Sequence, residues 1–208
     1  MKIAILGSTG SIGKITVNIV KNDKKNFEVI LLTANNNYKE LLKQVKELKP
    51  KNIIINNKLH FIYLKKKFKN KKINIFNNFK TFKKKFNNKV DYTMSAISGL
   101  EGLIPTLESI SFSKKIAIAN KESIICAWNL IENLLKKNKC KFLPIDSEHF
   151  SINELLNSSS NEQIAEIIIT ASGGPFLNLP LSKFKKINPK MAIKHPKWKM
   201  GKKISVDS

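Results

Sequence analysis

Lys2-Ile3-Ala4-Ile5-Leu6 running into Gly7-Ser8-Thr9-Gly10-Ser11-Ile12-Gly13 decides the fold of this 208-residue chain. The first five residues form the short apolar run of a strand buried on both faces. The glycines then fall as G-x-x-G-x-x-G, and a helical stretch follows with Ile15, Val17, Ile19 and Val20 on its apolar side. Strand, glycine turn and helix in that order predict a phosphate cradle. Glycines permit a tight turn and let backbone amides approach a pyrophosphate, and the helix N-terminus adds the positive end of its dipole. A plain glycine turn is the alternative reading of the same residues.

Working outward, the same alternation repeats. Phe27 to Leu32 reads as a second strand, ending at Thr33-Ala34-Asn35-Asn36-Asn37, where the adenosine ribose of a dinucleotide would lie. No Asp or Glu stands there to take a ribose 2′-hydroxyl, which favours NADP over NAD, with neutral groups or nearby Lys39 holding the 2′-phosphate. Leu41, Leu42, Val45 and Leu48 mark a helix over 38–48, and Ile53-Ile54-Ile55 a third strand. From Asn56 to Asn88 the chain is almost low-complexity Lys, Asn and Phe, read as a peripheral helix and strand. Strands are expected again at 90–96 and 116–119, and helices reaching Ile110 and over 124–135, with Trp128 on the packed side. The sum is a Rossmann-like, doubly wound parallel α/β sheet.

The apolar run Phe142-Leu143-Pro144-Ile145 delivers Asp146-Ser147-Glu148-His149. In extended backbone Asp146 and Glu148 share a face, a hard-oxygen pair suited to Mg2+ or Mn2+. The alternative is a helix start, with Asp146 or Ser147 as cap and Glu148 in the first turn. Beyond it come a helix over 152–156, a loop at 158–161, a strand over 166–170 and the turn Ala171-Ser172-Gly173-Gly174-Pro175-Phe176, a second anion-cradle candidate. His195-Pro196-Lys197-Trp198-Lys199-Met200-Gly201 reads equally as an active-site lid or as a surface loop with Trp198 tucked inwards. Residues 204–208 read as strand-like.

Composition narrows the partners. The formal net charge is +23, yet all 38 basic residues are lysine and none is arginine. Arg is the preferred residue for base edges and bidentate phosphate contacts. A chain rich in Lys, Asn, Ile and Phe and empty of Arg is what an AT-rich, bacterial genome writes, so nucleic acid is not expected as a partner. A basic field still attracts phosphorylated small molecules. No run has membrane-spanning length, no leader precedes the first strand, and Cys126 and Cys140 have no metal-ligand spacing, which together point to a reducing cytoplasm.

Taken together, Gly7 to Gly13, Ala119-Asn120-Lys121-Glu122-Ser123, Pro144 to His149, Ser172 to Phe176 and His195 to Ser208 resemble, in order, the motifs of the 1-deoxy-D-xylulose 5-phosphate reductoisomerases. The resemblance implies an enzyme using NADPH and a divalent cation (Mg2+ or Mn2+, with Co2+ as a third candidate). The cation would act as a Lewis acid on the oxygens of a phosphorylated sugar, whose rearranged skeleton is reduced by hydride transfer. It implies catalytic roles for Asp146, Glu148 and His195, with Asp146 and Glu148 as metal ligands. Substrate would be held by Ser147, Ser172, His195, Trp198, Ser208 and Lys121, with Trp198 and Met200 closing the lid. Cofactor would be held by Gly7, Thr9, Gly10, Ser11, Ile12, Asn35, Asn36, Asn37, Asn120, Glu122 and Gly201. Asn35 and Asn36 stand where the family carries Gly-Lys. The implied organisation is a cofactor domain over 1–145 and the start of a second, α/β catalytic domain over 146–208, in a homodimer. The family's chain continues past the position of Ser208 with an Asn, a Lys and a third metal carboxylate, so this sequence is expected to be a front half, either a fragment or a decayed frame.

Overall fold

The computed structural model describes residues 1–158, 163–197 and 205–206. Its elements run β1 (Lys2–Leu6), α1 (Ser11–Asn22), β2 (Glu28–Ala34), α2 (Tyr38–Leu48), β3 (Asn52–Ile55), α3 (Lys58–Lys67), β4 (Asn74–Phe76), α4 (Phe79–Lys85), β5 (Val90–Ser95), α5 (Leu103–Ile110), β6 (Ser113–Ile118), α6 (Lys121–Asn138), β7 (Lys141–Leu143), α7 (Ser147–Ser158) and α8 (Pro189–Ala192). All seven strands are parallel, in the order β4-β3-β2-β1-β5-β6-β7. Winding therefore reverses between β1 and β5, which makes that junction the switch point of a doubly wound sheet.

β1 is central and buried, and its alternation decides which side packs where. Ile3 and Ile5 join Val17, Val20, Leu41, Val45 and Leu64, the core under α1 to α3. Ala4 and Leu6 point the other way, with Phe79, Phe82, Val90 and Phe112. A third core joins Ile110, Ile116, Ile118, Ile131 and Leu135 beneath α5 and α6. In α1 the buried face is Gly13, Thr16, Val17 and Val20. Ile15 and Ile19, expected beside the valines, face outwards, because about 100° per residue sets each more than a quarter of a turn from both valines. The Lys/Asn/Phe stretch holds two helices, α3 and α4, around β4. In α4 the asparagine before the helix caps it: Asn78 Oδ1 accepts from the Thr81 N–H at 2.8 Å.

Between β5, α5 and β6 the packing is hydroxylic. Thr93 Oγ1 lies 2.6 Å from Ser113 Oγ, and Ser113 Oγ donates to the Ser109 carbonyl at 2.6 Å. Ser95 Oγ lies 2.7 Å from Thr106 Oγ1, which donates to the Gly102 carbonyl at 2.7 Å. All four side chains are fully buried.

The chain divides into two compact units, Met1–Leu155 and Leu156–Ser208. α7 runs across the division between the two units. In the second unit, Gly174–Phe176 and Leu181–Lys186 form short 3-10 turns ahead of α8. The strand expected at 166–170 is absent: these residues carry no regular structure, and Ile167, Ile168 and Ile169 are exposed. A strand needs a neighbour to receive its N–H and C=O groups, and none pairs with it among the described residues. At the chain's end Ser205 and Val206 are helical rather than strand-like. No helix among the described residues is long and apolar enough to cross a membrane.

Asp91 ties three strands at one sheet end. Its carboxylate accepts from Lys114 Nζ at 2.7 Å and from the Lys2 N–H at 2.7 Å. The Lys114 hydrogen bond first, then the Lys2 amide, hold its pKa below the usual carboxylate range. A lowered folded pKa gives stability above the unfolded value and loses it as pH falls through the folded one. Asp91→Asn is therefore expected to cost about 1 kcal/mol or less at neutral pH. Urea melts of the two chains should converge below about pH 4.

Candidate functional site

The glycine loop occupies the switch point. Gly7 has φ +72°, and a Cβ there would meet the Ala96 carbonyl oxygen at 2.7 Å. Gly13, in the first turn of α1, is tighter: a Cβ would stand 2.1 Å from the Gly7 carbonyl oxygen and 2.7 Å from Ser8 Cα. Gly10 has ordinary φ, with its nearest neighbour at 3.3 Å. Thr33, at the end of β2, pins the loop from below. Its hydroxyl accepts from the Gly7 N–H at 2.9 Å, and its carbonyl accepts from the Ser8 N–H at 2.9 Å and the Ser8 hydroxyl at 3.2 Å.

Above the loop lies an open cleft of about 220 Å3, lined by Gly7, Thr9, Gly10 and Asn35, and also by Asn56, Ser98 and Glu101. Ser98 and Glu101 follow β5, where polar groups at the C-terminal strand end are expected to face a switch-point cleft; Asn56 follows β3. Ser11 and Ile12 stand at the start of α1, with Ile12 exposed. Asn36 Oδ1 accepts from Asn57 Nδ2 at 3.1 Å, and Asn37 caps α2 by accepting from the Glu40 N–H at 3.1 Å.

Asn120 is spent inside the protein. Its amide donates to the Ile97 and Gly99 carbonyls, both at 2.6 Å, and its oxygen caps α6 by accepting from the Ser123 N–H at 3.0 Å. It thus clamps the wall of the cleft after β5. The helix it starts is bent at Ala127 (φ −145°, ψ 29°). Trp128 is partly exposed and meets Phe142 edge-to-face at 5.5 Å.

At Asp146 the backbone is a helix start. The Asp146 carbonyl accepts from the Phe150 N–H at 2.8 Å, and Glu148 sits in the first turn of α7. The extended alternation expected for this stretch is not what places the carboxylates. Burial opposes ionisation of Asp146, but its polar neighbours Glu148, His149 and Lys121 outweigh it and lower its pKa. His149 Nδ1 lies 3.1 Å and Lys121 Nζ 3.8 Å from this carboxylate. Among the described residues no three His, Cys, Asp or Glu side chains converge as a metal cluster.

In the second unit Ser172 and His195 come together. The Lys197 N–H donates to His195 Nδ1 at 3.1 Å, so the ring proton sits on Nε2, which reaches Ser172 Oγ at 3.1 Å. The Gly174 N–H also donates to Ser172 Oγ, at 3.2 Å. With both acceptor positions taken, the Ser172 hydroxyl is oriented as a donor. Trp198, Met200, Gly201 and Ser208 lie outside the described residues.

A parallel doubly wound sheet with a glycine-loop cleft at its switch point defines a protein of the Rossmann-like class. The chain belongs to the 1-deoxy-D-xylulose 5-phosphate reductoisomerase family: that family's model matches residues 3–128, and the model of its C-terminal domain matches 142–208. A reductoisomerase of Pelagibacter ubique is 57% identical over the whole chain, which spans 54% of that relative. One from a Thermoanaerobacter species is 39% identical, again over 54% of its length. The chain thus spans about half the length of these curated relatives. Among solved structures, the Zymomonas mobilis enzyme in complex with NADPH matches with TM-score 0.82 and 32% identity, covering 92% of this chain and 51% of that one. A reductoisomerase in complex with NADPH, fosmidomycin and magnesium matches with TM-score 0.77 and 30% identity, covering 100% and 54%.

The two helix-side glycines should differ sharply on substitution. Gly13→Ala drives a methyl into backbone and is expected to cost about 3 kcal/mol in urea unfolding. Gly10→Ala, whose methyl needs only a small shift of the Gly7 carbonyl, should cost about 1 kcal/mol.

Proposed function

We propose that the chain carries the cofactor and metal-binding part of an NADPH- and divalent-metal-dependent reductoisomerase, converting 1-deoxy-D-xylulose 5-phosphate to 2-C-methyl-D-erythritol 4-phosphate. One observation carries the reading: the pinned glycine-loop cleft lies within the family match, and a solved relative of the same fold holds NADPH. In this reading Gly7, Thr9 and Gly10 face the pyrophosphate, and Ser11 and Ile12 extend that contact. Asn35, Asn36 and Asn37 take the adenosine end. Asn120 acts by holding the loop after β5, and Glu122 and Gly201 complete the cofactor set. NADPH supplies hydride when bound.

Asp146 and Glu148 fit a hard cation as far as donor chemistry goes. The two carboxyl groups stand two residues apart at one helix start, the Asp146 carboxylate favoured by its neighbours, and Mg2+ or Mn2+ retains waters where protein ligands are few. Bound there, the cation supplies Lewis acidity. Ser172, donating its hydroxyl proton and backed by His195, suits a phosphate oxygen. Ser147, Lys121, Trp198 and Ser208 belong to the same substrate set. A homodimer in the bacterial cytoplasm, without nucleic-acid or membrane partners, completes the proposal.

The want of a third converging ligand among the described residues favours a second reading, a dinucleotide-binding module that does not turn over. Two measurements on the purified chain separate them. NADPH fluorescence titration should saturate under both readings. NADPH oxidation with 1-deoxy-D-xylulose 5-phosphate and Mn2+ should occur only under the first, and its absence leaves the module. Asp146→Asn is expected to weaken Mn2+ binding about tenfold, measured by water-proton relaxation. An unchanged Mn2+ affinity would remove this stretch from the metal site.

A further inference from the structure

Gln44 has no role in the site as described, yet it is fully buried in the middle of α2. Its Nε2 donates to the Ser8 carbonyl oxygen at 2.9 Å, across 36 residues, and to Glu40 Oε1 at 3.3 Å. Its Oε1 is buried with no hydrogen-bond partner. The reverse orientation of the amide would set its oxygen against two others, so the donor is the nitrogen. A buried, unsatisfied oxygen is costly; leucine would remove it among Leu41 and Val45, but would leave the Ser8 carbonyl without its donor. Something other than packing calls for an amide there.

The Ser8 carbonyl is what it holds. A trans peptide is planar, so its C=O and the following N–H point in opposite directions. Drawing the Ser8 carbonyl toward α2 turns the Thr9 N–H away from α2, toward the cleft that Thr9 lines. Among the described residues no backbone carbonyl accepts that N–H, whereas its neighbours are engaged: the Ser8 N–H with Thr33 and the Gly10 N–H with Gly7. Thr33 fixes one side of the Ser8 peptide and Gln44 the other. Glu40 takes the amide's second proton, and its own backbone N–H caps on Asn37.

We infer that Gln44 is a positioning residue for the anion cradle: it sets the Ser8–Thr9 peptide so that the Thr9 N–H faces the pyrophosphate of a dinucleotide. The inference rests on the dinucleotide reading of the cleft. It predicts a split between ligands with and without a pyrophosphate. In Gln44→Leu the NADPH dissociation constant should rise about tenfold, the worth of one hydrogen bond to a charged group. Affinity for 2′-AMP, which lacks the pyrophosphate, should stay within about twofold, and the thermal midpoint should shift only slightly, because the variant trades the orphaned Gln44 oxygen for an unpaired Ser8 carbonyl. Gln44→Met, unbranched and of similar length, repeats the measurement without reshaping α2. NADPH binding unchanged in both variants overturns the role, as does an equal loss for both ligands, which would mark a general collapse of the cleft. Failure of the unsubstituted chain to bind NADPH is a different result: it removes the dinucleotide reading, and this inference with it.

Discussion

One contact governs the cofactor half: α1 starts with its backbone against the Gly7 carbonyl, at a distance that leaves no room for a side chain on Gly13. If α1 stood back by a methyl group, Ser8 would leave Thr33, and the loop would lose two of the three hydrogen bonds that seat it on β2. The Gly7 backbone would also shift against Ala96, the residue that hands β5 to the cleft wall. Loop, β2 end and β5 end are thus placed by one steric condition at the junction where the sheet reverses.

Much of this was open to inspection in the chain itself. Parallel strands buried on both faces need continuous apolar runs, and Lys2 to Leu6 and Ile53 to Ile55 have them, so the sheet could be read strand by strand. The glycine spacing located the loop. Less legible was whatever depends on a partner remote in sequence. Gln44 looks like any polar residue of an amphipathic helix until Ser8 is placed beside it. The isoleucines at 167–169 look like a strand, but a strand exists only with a neighbour. In α1 the four apolar residues could not be sorted into inside and outside without the exact helical phase. Asn120 reads from the sequence as a cofactor contact, but that its amide is consumed by two carbonyls follows only from the loop after β5 folding back over it.

The stretch around Asp146 admits two readings of one motif, and its backbone takes the helix start. A helix cap and a carboxylate pair make different demands on the backbone, and spacing alone sets them against each other. The structure has the helix start, with Glu148 in its first turn and Lys121 and His149 beside the Asp146 carboxylate, favouring its charged form. A helix start also presents unpaired N–H groups and the positive end of a dipole, which favour anions beside it.

The hydroxyls between β5, α5 and β6 carry an ordering of protons. Each has one hydrogen. Ser113 gives its hydrogen to the Ser109 carbonyl, so Thr93 must be the donor to Ser113. Thr106 gives its hydrogen to the Gly102 carbonyl, so Ser95 must be the donor to Thr106. In both chains the protons run from sheet to helix and end on backbone oxygen. No second arrangement exists, because a carbonyl cannot return the proton. The layer beneath the cleft wall is therefore polar but directional, without the exchangeable donor and acceptor senses that let a hydroxyl network relay charge or flip. It acts as a ratchet for the register of α5, so that the Ile97–Gly102 segment is fixed at both ends, by Asn120 above and by this one-way layer below.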